Sequence, residues 1–264
     1  VKAHAALGDG RLPYGQPRTV MCPGSSEKYW YALSPRILDL NSVSNQGRDG
    51  ESIKWLRDMF FLEDPLPVHN IEPYYPGLAA QWHPKPLESM SDGQMAQFLM
   101  YGCVLNGGAL VGHAWGDCYW GGAATLPKHP IPDGDPHCNG FNRFTAASMG
   151  KLKEFILDSG HDYRDLVPAV KHLAAPDGEL LCLALAPDKS LGLGFVSAGK
   201  NSCDIVQLTP NAEYHVEWWH IDNGGWQEKT IHKTDANGRL NMPSVPGGVK
   251  RGWAFRILRS AATD

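Results

Sequence analysis

The hydrophobic period of this chain changes once, near residue 176, and no other feature limits the fold as strongly. Before that point short apolar runs alternate with stretches at helical spacing; after it the apolar residues recur every second position. Alternating strands and helices require crossover connections and a parallel sheet. Short period-two runs divided by turns require antiparallel pairing. The chain is therefore expected to carry an α/β part over residues 1–175 and an all-β part over residues 176–264.

In the first part, Arg18-Thr19-Val20-Met21-Cys22 reads as a strand broken at Pro23-Gly24-Ser25-Ser26, and residues 36–41 read as the next. A helix follows over 50–62, with Ile53, Leu56, Met59 and Phe60 at helical spacing. Pro67-Val68-His69-Asn70-Ile71-Glu72 reads as a third strand, stopped by Pro73. Ser91 is placed to cap a helix over 91–105, and Ala109-Leu110-Val111-Gly112-His113 reads as a fourth strand. Residues 117–140 form a long Gly/Pro-rich loop, and a last helix spans about 144–158. Each strand starts apolar and meets its polar residues at or just past its C-terminal end: Ser25-Ser26, Asn41, Asn70 with Glu72, and His113 with Trp115. In parallel α/β barrels chemistry collects at that end. No glycine-rich nucleotide fingerprint opens a helix.

In the second part, strands are expected over 179–186, 191–197, 204–208, 213–221, 227–232 and 252–258. Asp222-Asn223-Gly224-Gly225 and Asn237-Gly238 are among the separating turns. Regular short strands without helices predict an antiparallel β-sandwich. Trp218, Trp219 and Trp226 are read as core and packing residues, because adjacent strand positions cannot both face out.

Composition narrows the function. A net charge of −4 gives no electrostatic reason to expect nucleic acid, and no apolar run approaches the length of a membrane span. No CxxC pair or Cys/His cluster marks a zinc site, so no metal is expected. Cys118 with Cys138, and Cys182 with Cys203, are two pairings that the sequence leaves open beside reduced, buried thiols. Val1-Lys2-Ala3-His4 does not read as a signal peptide.

Several segments, in order, resemble one family. Asn70-Ile71-Glu72-Pro73-Tyr74-Tyr75 resembles the Glu-Pro-x-Tyr-Glu strand end of the apiosidase-like glycoside hydrolases. The run from Gly107-Gly108-Ala109 through Gly112-His113-Ala114-Trp115-Gly116 to Tyr119-Trp120 resembles that family's next segment. Glu217-Trp218-Trp219, the Gly224-Gly225 turn and Gly252-Trp253-Ala254-Phe255-Arg256-Ile257-Leu258 resemble its terminal β-domain, sometimes called collagen-binding-like. The chain departs from the pattern at Cys22-Pro23, at Ser44-Asn45-Gln46-Gly47 and at Tyr75.

The resemblance implies the C-terminal half, strands five to eight, of a (β/α)8 barrel followed by a β-sandwich. It implies a retaining O-glycoside hydrolase acting on a plant or algal poly- or oligosaccharide. Glu72 inherits the nucleophile role at the end of strand seven, and His113 falls on strand eight. The acid/base falls in the first half, strands one to four, which is expected in a further chain or fragment that completes the barrel or, alternatively, in a longer polypeptide of which these residues are an excerpt. No cofactor is implied, and secretion or periplasmic export is expected.

Chemistry supports the same residues. Retaining glycosidases need a carboxylate held still beside the anomeric carbon. Pro73 stiffens the exit from the strand, and Tyr74 is placed to donate a hydrogen bond to Glu72. Asn41, Asn45 and Gln46 are candidate partners for sugar hydroxyls; His113, Trp115 and Trp120 are candidate sugar contacts. His69 is read as a structural residue. A non-catalytic carbohydrate-binding module remains open, as does a polysaccharide lyase using His113 or Tyr74.

Overall fold

The computed structural model describes residues 17–21, 24–25, 38–45, 50–73, 90–111, 144–157, 163–174 and 181–261. Two sheets organise them. The first has four strands in the order β1 (Gly24–Ser25), β2 (Asn41–Ser44), β3 (Val68–Glu72) and β4 (Gly108–Val111). β2, β3 and β4 run parallel, and β1 runs antiparallel to β2. Helix α1 (Glu51–Phe60) connects β2 to β3, and helix α2 (Asp92–Leu105) connects β3 to β4. These are the crossovers that a parallel pairing demands.

Sequence chemistry explains where the helices begin and end. Ser91 accepts a hydrogen bond from the Gln94 amide at 3.3 Å, while Gln94 accepts one from the Ser91 amide at 2.8 Å. That reciprocal pair satisfies two amides that would otherwise lack partners. At the far end Gly107 takes a φ of +89°, the left-handed geometry that stops a helix. A β-carbon there would meet the Phe60 ring at 2.4 Å. Val43, Val68, Leu56, Met59 and Cys103 pack together between the first sheet and these two helices.

The early strands differ from the sequence reading. Residues 17–21 form no ladder, and the strand falls on Gly24–Ser25, where a break was expected. Arg18 is instead a clasp on the residues before β2. Its guanidinium pairs with Asp39 at 2.8 Å, and its carbonyl accepts from the Asp39 and Leu40 amides at 2.9 and 3.1 Å. With residues 39 and 40 bent around Arg18, the second strand begins at Asn41, the position at which it was expected to end.

The second sheet has six antiparallel strands in the order β5 (Val167–Pro168), β6 (Leu181–Leu185), β7 (Leu191–Val196), β10 (Trp253–Arg259), β8 (Glu213–Trp219) and β9 (Thr230–Lys233). It takes in Val167–Pro168, which lie before residue 176. One face, carrying Cys182, Leu193, Phe195 and Trp219, packs on α2 and on helix α3 (Phe144–Leu157). The Tyr101 ring stacks on Phe195 with centroids 5.1 Å apart, and Phe155 lies 5.5 Å from Tyr101 and 6.1 Å from Trp219. Helix α2 is thus buried on nearly all sides, one side against α1 and the first sheet and the other against the second sheet. Gly102 is the price of that closeness, since a β-carbon there would sit 2.2 Å from the Ile53 side chain.

The opposite face carries Leu183, Tyr214, Val216, Trp218, Phe255 and Ile257. A two-sheet sandwich was expected to cover it. Among the described residues, irregular segments around Ile205, Leu208, Leu240, Met242 and Val245 cover it instead. Residues 204–208 make only the isolated bridges Leu173–Ile205 and Ile205–Leu240. Trp218 and Trp219 are both buried, one on each face, and Trp226 packs 5.1 Å from Trp219. The tryptophans therefore serve the core, as their adjacency implied.

Candidate functional site around Glu72

Glu72 ends β3, at the C-terminal edge of the parallel strands. Its orientation follows from a bulge. Val43 pairs with Asn70 and Ser44 with Glu72, so one step on β2 faces two steps on β3. Val43 and Val68 both point to the helices. Regular alternation would send Asn70 and Glu72 to that same side. The extra residue, Ile71, resets the alternation and turns Glu72 to the face away from the helices.

That face also presents Ser44. Its hydroxyl donates to Glu72 Oε2 at 2.5 Å, and Ser44 is only 8% exposed. The Asn45 amide donates to the Glu72 carbonyl at 2.9 Å. One oxygen of the carboxylate is thus held by a side chain and the backbone beneath it by a neighbouring strand. A carboxylate fixed in this way can act as nucleophile or as general base, both of which need a defined direction of approach.

Ser42 pairs with His69 one layer below. The Ser42 hydroxyl donates to the Val20 carbonyl, which anchors the clasp segment under the same face. Burial holds the His69 imidazole below its usual range, so the neutral form is favoured. Behind the strand the Cys103 thiol, fully buried, bonds the Asn70 backbone, and burial pushes it up to about 12. It is an inert packing group and not a second nucleophile.

The candidates read from the sequence separate under this geometry. Glu72 and Asn45 are brought together. Asn41 is not: it pairs with Val68 at the other end of β2, three residues and roughly 10 Å from Ser44. The shifted start of β2 is the reason. Gln46, Tyr74, His113, Trp115 and Trp120 lie outside the described residues. Ser44 was not singled out as a site residue. Its signal was the alternation in Asn41-Ser42-Val43-Ser44, which puts two small hydroxyls on one face of a strand. Among the described residues no group of His, Cys, Asp and Glu could hold a metal, and no helix is long and apolar enough to cross a membrane. Cys182 and Cys203 are free thiols in the clusters on opposite faces of the second sheet, and both are pushed up to about 12 by burial.

No family model matches the chain, and no curated protein matches it. Solved structures do. One described as a glycoside hydrolase is similar at a TM-score of 0.66 and 13% identity, over 94% of this chain and 57% of its own. A glycoside hydrolase family 5 protein from Bacteroides vulgatus ATCC 8482 is similar at a TM-score of 0.63 and 13% identity, over 94% of this chain and 55% of its own. The chain therefore has a glycoside hydrolase-like fold and spans a little more than half the length of these structures.

Proposed function

We propose that this chain is the C-terminal half of a retaining O-glycoside hydrolase, four strands of a (β/α)8 barrel followed by a β-domain, with Glu72 as nucleophile. The reading is carried by one observation: a strand-end carboxylate turned by a bulge onto the face away from the helices and held there by Ser44 at 2.5 Å. The likeness of nearly the whole chain to little more than half of two glycoside hydrolase structures supports it.

In this mechanism the Glu72 carboxylate attacks the anomeric carbon as the glycosidic C–O bond breaks. The leaving oxygen takes its proton from an Asp or Glu of the first half-barrel. Water, deprotonated by that same residue, then hydrolyses the glycosyl ester and frees Glu72. The two carboxyl groups stand roughly 5 Å apart in retaining enzymes, so the first half must place its acid within that distance of Glu72. Asn45, Gln46, Tyr74, His113, Trp115 and Trp120 are the sugar contacts of this reading, and a plant or algal poly- or oligosaccharide is the substrate.

The partner and the activity are tested together. Native mass spectrometry of the purified protein is expected to show a co-purifying fragment of half-barrel size. The assembled protein is expected to release reducing sugar, and Glu72→Gln to lower that rate by about 10³-fold or more, on the order of 4 kcal/mol in the barrier. A fluorinated glycoside trap should leave its mass on the peptide containing Glu72. A lone 29 kDa chain without hydrolysis would favour a carbohydrate-binding module, and an unsaturated product would identify a lyase.

A further inference from the structure

A second site lies in the antiparallel sheet, away from Glu72. A cleft of about 740 Å3 opens between the turn after β6, the loop before β8, and the ends of β9 and β10. We propose that it binds an acidic sugar unit, a hexuronate, with Lys233 taking the carboxylate and Asn211 and Glu213 taking ring hydroxyls.

The walls are built to stay in place. Arg259 spans the cleft, donating to the Thr209 hydroxyl at 2.8 Å and to the Asp188 carbonyl at 3.1 Å. The buried Tyr214 hydroxyl donates to the Lys189 carbonyl at 3.0 Å and accepts from the Thr209 amide at 3.4 Å, tying the two loops together. The buried Thr234 hydroxyl lies 2.7 Å from the Thr209 carbonyl oxygen and accepts from the Ala212 amide at 2.9 Å. Among the described residues, the non-glycine residues with positive φ are Lys189, Gln207 and Asn211, at 61°, 59° and 53°. All three belong to the two loops that bound this cleft. Left-handed backbone at such residues costs energy and concentrates where a fixed loop shape has a use.

The unspent groups define the ligand. Asp188 stands 3.7 Å from Arg259 and partly offsets its charge. Lys233 and Glu213 pair across β9 and β8, yet no ion pair joins them. Lys233 is thus an exposed ammonium with no ionic partner among the described residues, and Asn211 and Glu213 keep free polar ends beside it. No aromatic side chain lines the cleft among the described residues, so a neutral sugar has no face to stack on. Ser190, Thr209 and Ser260 are already bonded to Asp188, Arg259 and His215, so an anion on Lys233, with hydroxyls meeting Asn211 and Glu213, uses the side chains of the cleft that the protein leaves unbonded. The choice of a sugar as carrier of that anion rests on the glycosidase reading; the anion itself rests on the cleft.

The test is amide NMR of the full chain titrated with galacturonate and glucuronate, with galactose, glucose and acetate as controls. Either uronate is expected to shift the amides of Asn211–Glu213 and Lys233 and to bind at least fivefold more tightly than every control. Lys233→Ala should weaken it at least fivefold, Lys233→Arg should keep it, and rising salt should weaken it. Equal binding of neutral sugars, equal binding of acetate, or an unchanged Lys233→Ala titration would each overturn the proposal. None of these outcomes depends on hydrolysis, so this site and the role of Glu72 stand or fall separately.

Discussion

Replacing Phe195 by alanine tests whether the helices of the first part and the second sheet share one core. Phe195 is 1% exposed and packs against Phe98 and Tyr101 of α2, with ring centroids 6.3 and 5.1 Å away. Gly252 lies so close that a β-carbon there would approach the Phe195 ring at 2.7 Å. The neighbours come from a helix and two sheet strands, which cannot collapse into the space left behind. The cost should therefore fall in the usual range for such a truncation, about 3–5 kcal/mol. Unfolding entropy of about 2.1 cal/mol/K per residue gives roughly 0.55 kcal/mol/K for this chain, so a loss of about 4 kcal/mol lowers Tm by about 7 °C. Calorimetry of the full chain, with far-UV circular dichroism and tryptophan fluorescence as parallel probes, should show one transition that moves as a unit. A loss below about 1 kcal/mol, or two transitions of which one stays in place, would refute the shared core.

Two further outcomes follow from burial. Cys103, Cys182 and Cys203 have thiols pushed up to about 12, so iodoacetamide should label none of them in the native protein and all three in denaturant. Native labelling of Cys103 or Cys182 at the rate of an exposed thiol would contradict the packing of α2 on both sheets, and of Cys203 the cover on the opposite face of the second sheet. His69 has its folded pKa lowered by burial, so the unfolded chain binds its proton more tightly. Its contribution to stability is therefore complete above the unfolded value of 6.5 and is lost as pH falls through the folded value. Urea midpoints at a pH near 7.5 and near 5.5 should differ less in His69→Gln than in the parent, and an equal difference would remove His69 as a source.

Much of this architecture was legible because it rests on local chemistry. The change of period near 176 follows the passage from parallel to antiparallel strands, which begins earlier, with β5 at Val167–Pro168. Ser91 marked the start of α2, and the runs around Val68, Leu183, Leu193 and Phe255 marked strands. What was not legible depends on contacts far apart in sequence. The Arg18–Asp39 clasp spans 21 positions and displaces two strands from their apolar runs. Residues 204–208 have strand composition, but they meet single positions of two different segments and so form bridges in place of a ladder. Asn41 was misplaced for the first reason, because a shifted strand start moves its residue to the other end of the sheet.

The bulge at Ile71 is the most consequential of these nonlocal facts. Residues 68–72 alone put Glu72 on the side of Val68, among the helices, where a carboxylate would be buried against Leu56 and Met59. Only the pairing with β2 reverses it. Once reversed, Ser42, Ser44, His69 and Glu72 form a row of polar groups on the face that the helices do not cover. A parallel sheet is normally covered on both faces, and an apolar face would require an apolar layer there. This face offers hydroxyls, an imidazole and a carboxylate instead, and Ser42 and Ser44 are nonetheless buried. Such a face suits the mouth of a barrel, where polar groups converge on a substrate, better than it suits a second layer of packed helices. If Glu72 is the nucleophile proposed above, its acid/base is therefore to be sought on elements that face it across this surface, and not on the helices behind it.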